Sequence, residues 1–346
     1  MSGGVDSSVT AALLKERGFD VCGVHIKMWS DPEIPCTFKE DRYDAMRVAA
    51  QLDIPFATWD FTEEYRDGVV AYMVGEYAAG RTPNPDVMCN RKIKFGIFLE
   101  RAREQGADFI ATGHYVRLQG NSQFQNSKLL QAADKNKDQS YFLWTLAQDQ
   151  LKHCLFPIGE YAKPEVREMA RKFGLLTADK KDSQGICFIG EIDVREFLKK
   201  HISSERGPIM TSAGHVGGEH EGLAFYTLGQ RKGIGIGGGI PYYVARKDFA
   251  THTLYVAEGP YDENLFSQEI DMEEMNWISG VQPSLPLRSM ARIRYRQLST
   301  SCRIEKHRKS LKKLRVIFDE PQRASTPGQS IVFYQGEEML GGGIIV

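Results

Sequence analysis

The sequence predicts an α/β protein. A doubly wound, mostly parallel sheet is expected over residues 1–204, followed by a small central β-rich domain at 205–274 and a C-terminal β-barrel at 275–346. Three observations lead there. Strand-like and helix-like segments alternate up to about residue 200, and alternating βα units build parallel sheets with helices on both faces. Beyond about residue 205 glycines multiply and helical periodicity fades. From about residue 277 the pattern is strand–turn–strand to the end, as in a small barrel.

The elements follow in order. SGGVDSS (2–8) is a glycine-rich turn, and VTAALLKERG behind it reads as a helix. DVCGVHIKMW (20–29) is β-rich with one apolar face, DAMRVAAQLDI (44–54) has helical spacing, and PFATWDF reads as a strand. EEYRDGVVAYMVGEYAAG is a helix ending at Gly80, and GADFIATGHY (106–115) is a strand running into a glycine turn. KPEVREMARKFG carries Pro164 at the first helical position and Gly174 just past the end, the punctuation of a helix. LAFYTLG, PYYVARKD and TLYVAEG are short strand candidates, followed by SMARIRYRQ, SCRIEKH, KLRVIFD, SIVFYQG and LGGGIIV. No internal repeat or long low-complexity linker interrupts this order.

Composition narrows the classes. A chain of 346 residues accommodates two or three domains with real cores. A net charge of -1 excludes a uniformly basic nucleic-acid binder but not a local basic patch. No apolar run approaches the ~18–20 residues needed to span a membrane, and no signal peptide is visible, so a cytoplasmic protein with no membrane partner is expected. The six cysteines, Cys22, Cys36, Cys89, Cys154, Cys187 and Cys302, form no C-x-x-C pair, which argues against zinc ribbons and most iron–sulfur patterns. A chain this size needs no disulfide framework, so an important cysteine is expected to be reactive rather than structural. Charge is also segregated. Arg288 to Arg315 holds eleven Lys and Arg and one acid, Glu305, while Glu258 to Glu274 holds seven acids and no Lys or Arg. Two solvated faces explain this, and so does a polyanion contact on the barrel with Tyr295 as a stacking group between Arg294 and Arg296.

SGGVDSS has no Walker lysine. Its glycines permit φ > 0 and close approach to an anion, its serines offer hydroxyls, and the following helix points its N-terminus at the same spot. Such a loop suits a pyrophosphate, with Asp6 placed for a metal ion or the phosphates. GIGIGG (233–238) matches G-x-G-x-x-G literally, but no helix opens after it, so dinucleotide binding is rejected. RTPNPDVMCNRKIKFG (81–96) has two prolines in five residues, which forbids regular structure and makes a shaped loop ending in Asp86 and Cys89. Arg91, Lys92 and Lys94 follow, and nearby cations favour a thiolate. Cys187 lies in KKDSQGICFIGE (180–191), a setting that equally suits a buried strand cysteine.

SGGVDSS resembles the PP-loop of the ATP pyrophosphatase superfamily, which cleaves ATP between its α- and β-phosphates. The wider chain resembles the tRNA-specific 2-thiouridylase family, also called tRNA-uridine 2-sulfurtransferases. The matching motifs run in order from residue 2 to residue 329: SGGVDSS, GRTPNPDVMCNRKIKF, ATGHY, DKNKDQSYFL, LFPIGEYAKPEVREMARKFGL, DSQGICFIGE, FYTLGQRKGIGIGG, RIRYRQ and PGQ. This resemblance implies ATP-dependent 2-thiolation of the wobble uridine in Lys, Glu and Gln tRNAs. ATP, with Mg²⁺, adenylates the position-2 oxygen of the uracil, and sulfur then displaces AMP with pyrophosphate already released. It implies that Cys187 carries a persulfide from a sulfur-relay protein, and that Cys89 releases the sulfur through a transient Cys89–Cys187 disulfide. Asp86 would act as acid/base, with Asn84 and Pro85 beside the flipped base. Met1, Ser2, Gly3, Gly4, Val5, Asp6, Ser7, Ser8, Ile26 and Gly113 would line the ATP site. His114, Lys137, Asp138, Gln139, Arg294, Tyr295 and Gln329 would touch tRNA, although a turn histidine satisfied by a hydrogen bond explains His114 equally well. Cys22, Cys36, Cys154 and Cys302 match no family role and read as packing residues.

Family members carry a short strand before the PP-loop, so a β-rich segment upstream of Met1 is expected in the physiological protein, with weaker ATP binding and stability without it. Two rivals remain. A PP-loop amidotransferase or ligase leaves the NPDVMC loop and the basic barrel unexplained. A tRNA-binding protein with an inactive PP-loop leaves the intact Asp6, Asp86, Cys89 and Cys187 unexplained.

Overall fold

The computed structural model describes residues 1–31, 38–120, 126–181, 194–237 and 239–346. Helix α1 (Val5–Glu16) follows the glycine turn directly, and its buried Val5, Val9, Ala12 and Leu13 share a cluster with Val166 and Ala170. Then come β1 (Gly23–Lys27), α2 (Phe38–Gln51), β2 (Phe56–Asp60), α3 (Thr62–Tyr65), a wide π-helical turn at Arg66–Val70, and α4 (Ala71–Ala78). The helix ends where expected, since Gly80 takes φ 79, a left-handed cap conformation that suits glycine. Helix α5 (Pro85–Met88) runs into a second π-helical segment, Cys89–Ile97, kinked at Gly96, and continues as α6 (Phe98–Glu104). β3 (Ile110–Ala111), β4 (Val116–Gln119), β5 (Lys128–Gln131), α7 (Gln148–Leu151), β6 (Cys154–Leu155), α8 (Lys163–Lys172) and α9 (Val194–His201) follow. In this first region the described strands form two parallel pairs, β1 with β2 and β3 with β6.

The central part is a four-stranded sheet of β7 (Gly207–Thr211), β8 (Val216–His220), β9 (Tyr242–Asp248) and β10 (Thr253–Glu258), in the order β8-β7-β10-β9. LAFYTLG is not a strand here. Leu223–Phe225 form a 3-10 turn after Gly222, and all three side chains are buried, so the apolar run plugs a corner of the core instead of lining a sheet.

Six strands close the barrel: β11 (Phe266–Trp277), β12 (Leu287–Arg292), β13 (Thr300–Lys306), β14 (Leu314–Arg323), β15 (Ser330–Gln335) and β16 (Glu338–Ile345). The order is β11-β14-β13-β12-β15-β16, with β16 returning to β11. Because β11 pairs with β14 from Phe266 onward, residues 266–274 lie in the barrel sheet rather than with the central domain where composition placed them. The β4–β5 hairpin also leaves its own domain. Leu129 and Leu130 of β5 pair with Met339 and Glu338 of β16, so the first domain extends the barrel's sheet by two strands.

Behind that hairpin, DQSYFLW (138–144) plugs the same seam. Tyr141 and Trp144 are buried and hydrogen-bond Ser330, through Tyr141 Oη to the carbonyl at 2.8 Å and Trp144 Nε1 to the hydroxyl at 2.9 Å. Asn276 of β11 donates to the carbonyls of Trp144 and Leu146. Asp138, 2% exposed, accepts from Arg292 at 2.8 Å and from the amides of Ala132 and Ser140. A buried carboxylate needs this many donors to offset lost hydration. No helix among the described residues is long and apolar enough to cross a membrane.

Removing Arg292 leaves the Asp138 carboxylate buried without its counter-charge. The Arg292→Ala protein should lose about 3–5 kcal/mol of unfolding free energy, measured by urea titration. A loss below ~1 kcal/mol would show that the pair behaves as a surface contact.

Candidate functional site

The first half of the site is the N-terminus of α1. Gly4 caps the helix with an extended backbone, and Gly3 takes φ 79 where an added Cβ would collide with the Asp41 carbonyl. Only glycine fits so close to α2 in that conformation. The serines form a small ring: Ser2 N donates to Ser7 Oγ at 3.0 Å, the Ser2 and Ser7 hydroxyls lie 3.1 Å apart, and Ser7 and Ser8 donate to the Gly4 carbonyl. Met1 lies along β1, its ammonium donating to the Val24 carbonyl and its own carbonyl 2.9 Å from His25 Nδ1. Ile26 on the same strand packs toward the apolar cluster around Tyr65 and Phe197.

Asp6 is engaged on both oxygens. Lys163 Nζ sits 2.7 and 2.8 Å from them, and Tyr115 Oη donates to Oδ1 at 2.7 Å. Neither partner was singled out from sequence. Lys163 had a signal, because a cation at a helix N-terminus opposes the dipole and so asks for an acid nearby. No group of three His, Cys, Asp or Glu side chains that could hold a metal occurs among the described residues.

The second half is the proline loop. Asn84 caps α5, its side chain accepting from Val87 N at 3.3 Å, with Pro85 at the first helical position. Asp86 and Cys89 are three residues apart and share a face of this turn. Cys89 opens the π-helical segment and is 4% exposed. Asp86 is open by surface area yet crowded by protein atoms, and this desolvation raises its pKa, with Lys94 pulling the other way. Cys187 lies outside the described residues. Cys154 and Cys302 are buried, their thiols pushed up to about 12 by burial, which makes them inert packing residues.

ATGHY joins the halves. A Cβ on Gly113 would meet the Asp6 and Ser7 backbone at 2.9 Å, so this turn presses on the α1 N-terminus. The next residue, His114, stacks against Phe95 of the cysteine helix at 5.7 Å, and both burial and Lys94 lower its pKa well below the usual histidine value. His114 is 8% exposed and bonds Thr112 Oγ1 at 2.8 Å. The hydrogen bond to Thr112 is the one expected of a turn histidine.

Several residues expected to touch tRNA also make contacts within the fold. Asp138 is spent on Arg292, and Gln139 accepts from the Tyr115 amide, fixing ATGHY. Lys137 is half-buried, its amide bonded to Asp134. Arg294 is half-buried and donates to the Ala324 carbonyl at 2.6 Å, burial and Arg323 lowering its pKa. Tyr295 packs at a tilt against Phe142 with centroids 4.5 Å apart, and the Arg296 guanidinium lies 5.2 Å from its ring centroid. Gln329 faces inward. Its Nε2 donates to the carbonyls of Thr82 and Pro83 at 2.8 and 2.9 Å, while Thr82 N donates to Pro327 O at 2.8 Å. Gly328, φ 91, packs so tightly that a Cβ would sit 2.9 Å from Thr82. The barrel therefore clamps the root of the Asp86–Cys89 loop. Thr82 Oγ1 also lies 3.1 Å from Thr227 Oγ1 of the central part, so three regions meet at one residue.

Gln329→Ala removes two of these hydrogen bonds, at about 1 kcal/mol each. Amide exchange at Val87 and Met88 should then rise about tenfold or more, read by hydrogen-exchange mass spectrometry. Unchanged exchange would mean that the loop is held elsewhere.

A family model described as the tRNA methyl transferase HUP domain matches residues 1–191. A tRNA methyl transferase PRC-barrel domain matches 195–258, and an aminomethyltransferase beta-barrel domain matches 267–345. Among curated proteins, the chain is 49% identical over 350 residues to the tRNA-specific 2-thiouridylase MnmA of Geobacillus thermodenitrificans, covering 100% of this chain and 93% of that one. Relatives of the same name from Streptococcus mutans and Lactococcus lactis subsp. cremoris are 48% and 49% identical, again over 100% of this chain and 93% of theirs.

Proposed function

The chain belongs to the tRNA-specific 2-thiouridylase family, and from that membership we propose that it thiolates position 2 of the wobble uridine in tRNAs of the Lys, Glu and Gln type, using ATP. The observation that carries this reading is the bridge made by Gly113 and His114. Consecutive residues touch the α1 N-terminus and the cysteine helix, so an anion-binding turn and a candidate nucleophile belong to one site. A methyl transfer, which the domain names print, gives no use to an anion-binding turn ahead of a cysteine loop.

The α1 turn suits a pyrophosphate. Its free amides point out of the helix end, and Gly3 and Gly4 leave room for the backbone to approach the anion. Mg²⁺ would be held mainly by phosphates; Asp6 is the carboxylate of this turn but is already bonded by Tyr115 and Lys163, and Lys163 supplies a positive charge there. ATP converts the uracil oxygen into an AMP leaving group with loss of pyrophosphate. Sulfur must then attack that carbon. Cys187, carrying a persulfide from a sulfur-relay protein, is attacked at its inner sulfur by the Cys89 thiolate. A Cys89–Cys187 disulfide forms, hydrosulfide leaves, attacks the activated carbon and expels AMP. A thiol reductant then resets the disulfide. Lys94 follows Cys89 by one wide turn of the same π-helical segment. Asp86, its pKa raised, takes and returns the uracil proton, and Asn84 and Pro85 border the base. A cytoplasmic location accords with this chemistry.

The test combines wild-type protein, ATP, magnesium, a persulfide donor and unmodified tRNA, followed by nucleoside mass spectrometry. Wild type should produce 2-thiouridine. Cys89→Ser should stop turnover while a persulfide still forms on Cys187, and Cys187→Ser should abolish persulfide acceptance while adenylation survives. Full thiolation by Cys89→Ser would remove this mechanism.

The pH profile gives a separate check. Asp86 works as a base when ionised, so the rate should fall as pH drops through its raised pKa, at a higher pH than an ordinary aspartate would give. Asp86→Asn should lower the rate and abolish that acid limb. An unchanged limb would assign it to another group.

A further inference from the structure

Strands β13 and β14 meet in the tip K-H-R-K-S-L-K-K (306–313), which holds five cations and no acid. Elsewhere in the basic stretch four of the six arginines are ion-paired, while Arg294 bonds the Ala324 carbonyl and Arg296 lies over the Tyr295 ring. Arg288 pairs with Asp319 at 2.7 Å, Arg292 with Asp138 at 2.8 Å, and Arg303 with Glu305 at 2.6 Å. Arg315 pairs with Asp271 and Glu269 at 2.8 and 2.9 Å, so the acidic stretch upstream answers part of the basic one across β11 and β14. His307 within the tip lies 3.4 Å from Asp271. Lys306, Arg308, Lys309, Lys312 and Lys313 make no ion pair among the described residues, and Leu311 between them is 102% exposed.

The tip is also placed beside the site. Leu314, the first residue after it, pairs with Met272, and Met272 pairs with Ile345. Ile345 exchanges backbone hydrogen bonds with Gly328 and Gln329, the turn that clamps Thr82 and Pro83. Three strand spacings of about 4.8 Å therefore separate the root of the tip from the clamp. On the same flank Glu274, two residues past Met272, meets Arg91, two residues past Cys89, at 3.4 Å.

We infer that the 306–313 tip is a phosphate-backbone contact for the tRNA whose base is modified, and that it supplies the salt-dependent share of binding that composition had spread over the whole basic stretch. The inference rests on the tRNA reading above. Lysines and an arginine without ion-pair partners on a hairpin tip suit sequence-independent contact with phosphates, which positions a nucleic acid without reading it.

The test is tRNA binding by the full chain over a range of salt, for wild type and for the Arg308→Gln/Lys309→Gln/Lys312→Gln/Lys313→Gln variant. Each lost contact should flatten the slope of log affinity against log salt by about 0.7–0.9, up to roughly 3 in all. Affinity at low salt should fall tenfold or more, while ATP binding, the melting temperature and kcat at saturating tRNA stay unchanged. Swapping Lys for Arg and Arg for Lys at the four positions should keep the wild-type slope, because charge alone releases counterions. Equal slopes and affinities for wild type and the Gln variant would overturn the inference. So would unchanged tRNA binding with loss of binding to vesicles of anionic phospholipid, which would assign the tip to a membrane surface. If wild type binds tRNA with salt dependence but makes no 2-thiouridine, the proposed function fails and the tip does not. If wild type thiolates and the Gln variant binds identically, only the tip fails.

Discussion

Much of the molecule depends on burying one charge. Asp138 lies in an almost dry seam, and its carboxylate is tolerable only because Arg292, two backbone amides and the Ser140 hydroxyl converge on it. Satisfying that group fixes where β12 lies against the first domain. The apolar residues around it, Trp144, Tyr141, Val332, Tyr334 and Met339, then form one cluster drawn from both regions. Burial of this apolar area contributes most of the attraction, whereas the ion pair selects the register, since any other alignment would strand a charge.

That docking is what gives the proline loop a shape. A segment with Pro83 and Pro85 has few amides to offer a ladder, so its conformation must come from outside. Pro327, Gly328 and Gln329 supply it, and they can do so only because β15 and β16 are already anchored through Ser330 and the β4–β5 hairpin. The Cys89 segment is in turn a π-helix, a wide form common at functional sites, followed by a kink at Gly96. Fold, loop and Cys89 form one dependency, running from a buried carboxylate to a thiol.

Charge is distributed by the same logic. Cations near acids on neighbouring strands are consumed in pairing, and exposed pairs of this kind contribute little stability. Among the described residues, Lys306, Arg308, Lys309, Lys312 and Lys313 of the hairpin tip make no ion pair. The net charge of -1 conceals this separation.

The sequence by itself determined the local features. Pro164 and Gly174 mark α8, Gly80 ends α4, the SGGVDSS turn opens α1, and the strand–turn rhythm after 277 announces the barrel. Each depends on residues a few positions apart, acting through backbone geometry that any context respects. The helical turn carrying Asp86 and Cys89 was not legible: two prolines read as forbidding regular structure, whereas Pro85 takes the first helical position, where its missing amide costs nothing, and the segment is helical from there to Ile97. Nor was what touches what. Asp138 and Arg292, Gln329 and Thr82, and Asp6 and Lys163 are 154, 247 and 157 residues apart. The intramolecular partners of Asp138, Arg294 and Gln329 were invisible in sequence, because composition cannot distinguish a solvated polar residue from one whose partner comes from a distant segment. LAF read as a strand because periodicity reports that a segment is buried, not against what. Only the tertiary structure decided those questions, because the free energy of a buried polar group is set by the donors that reach it through space.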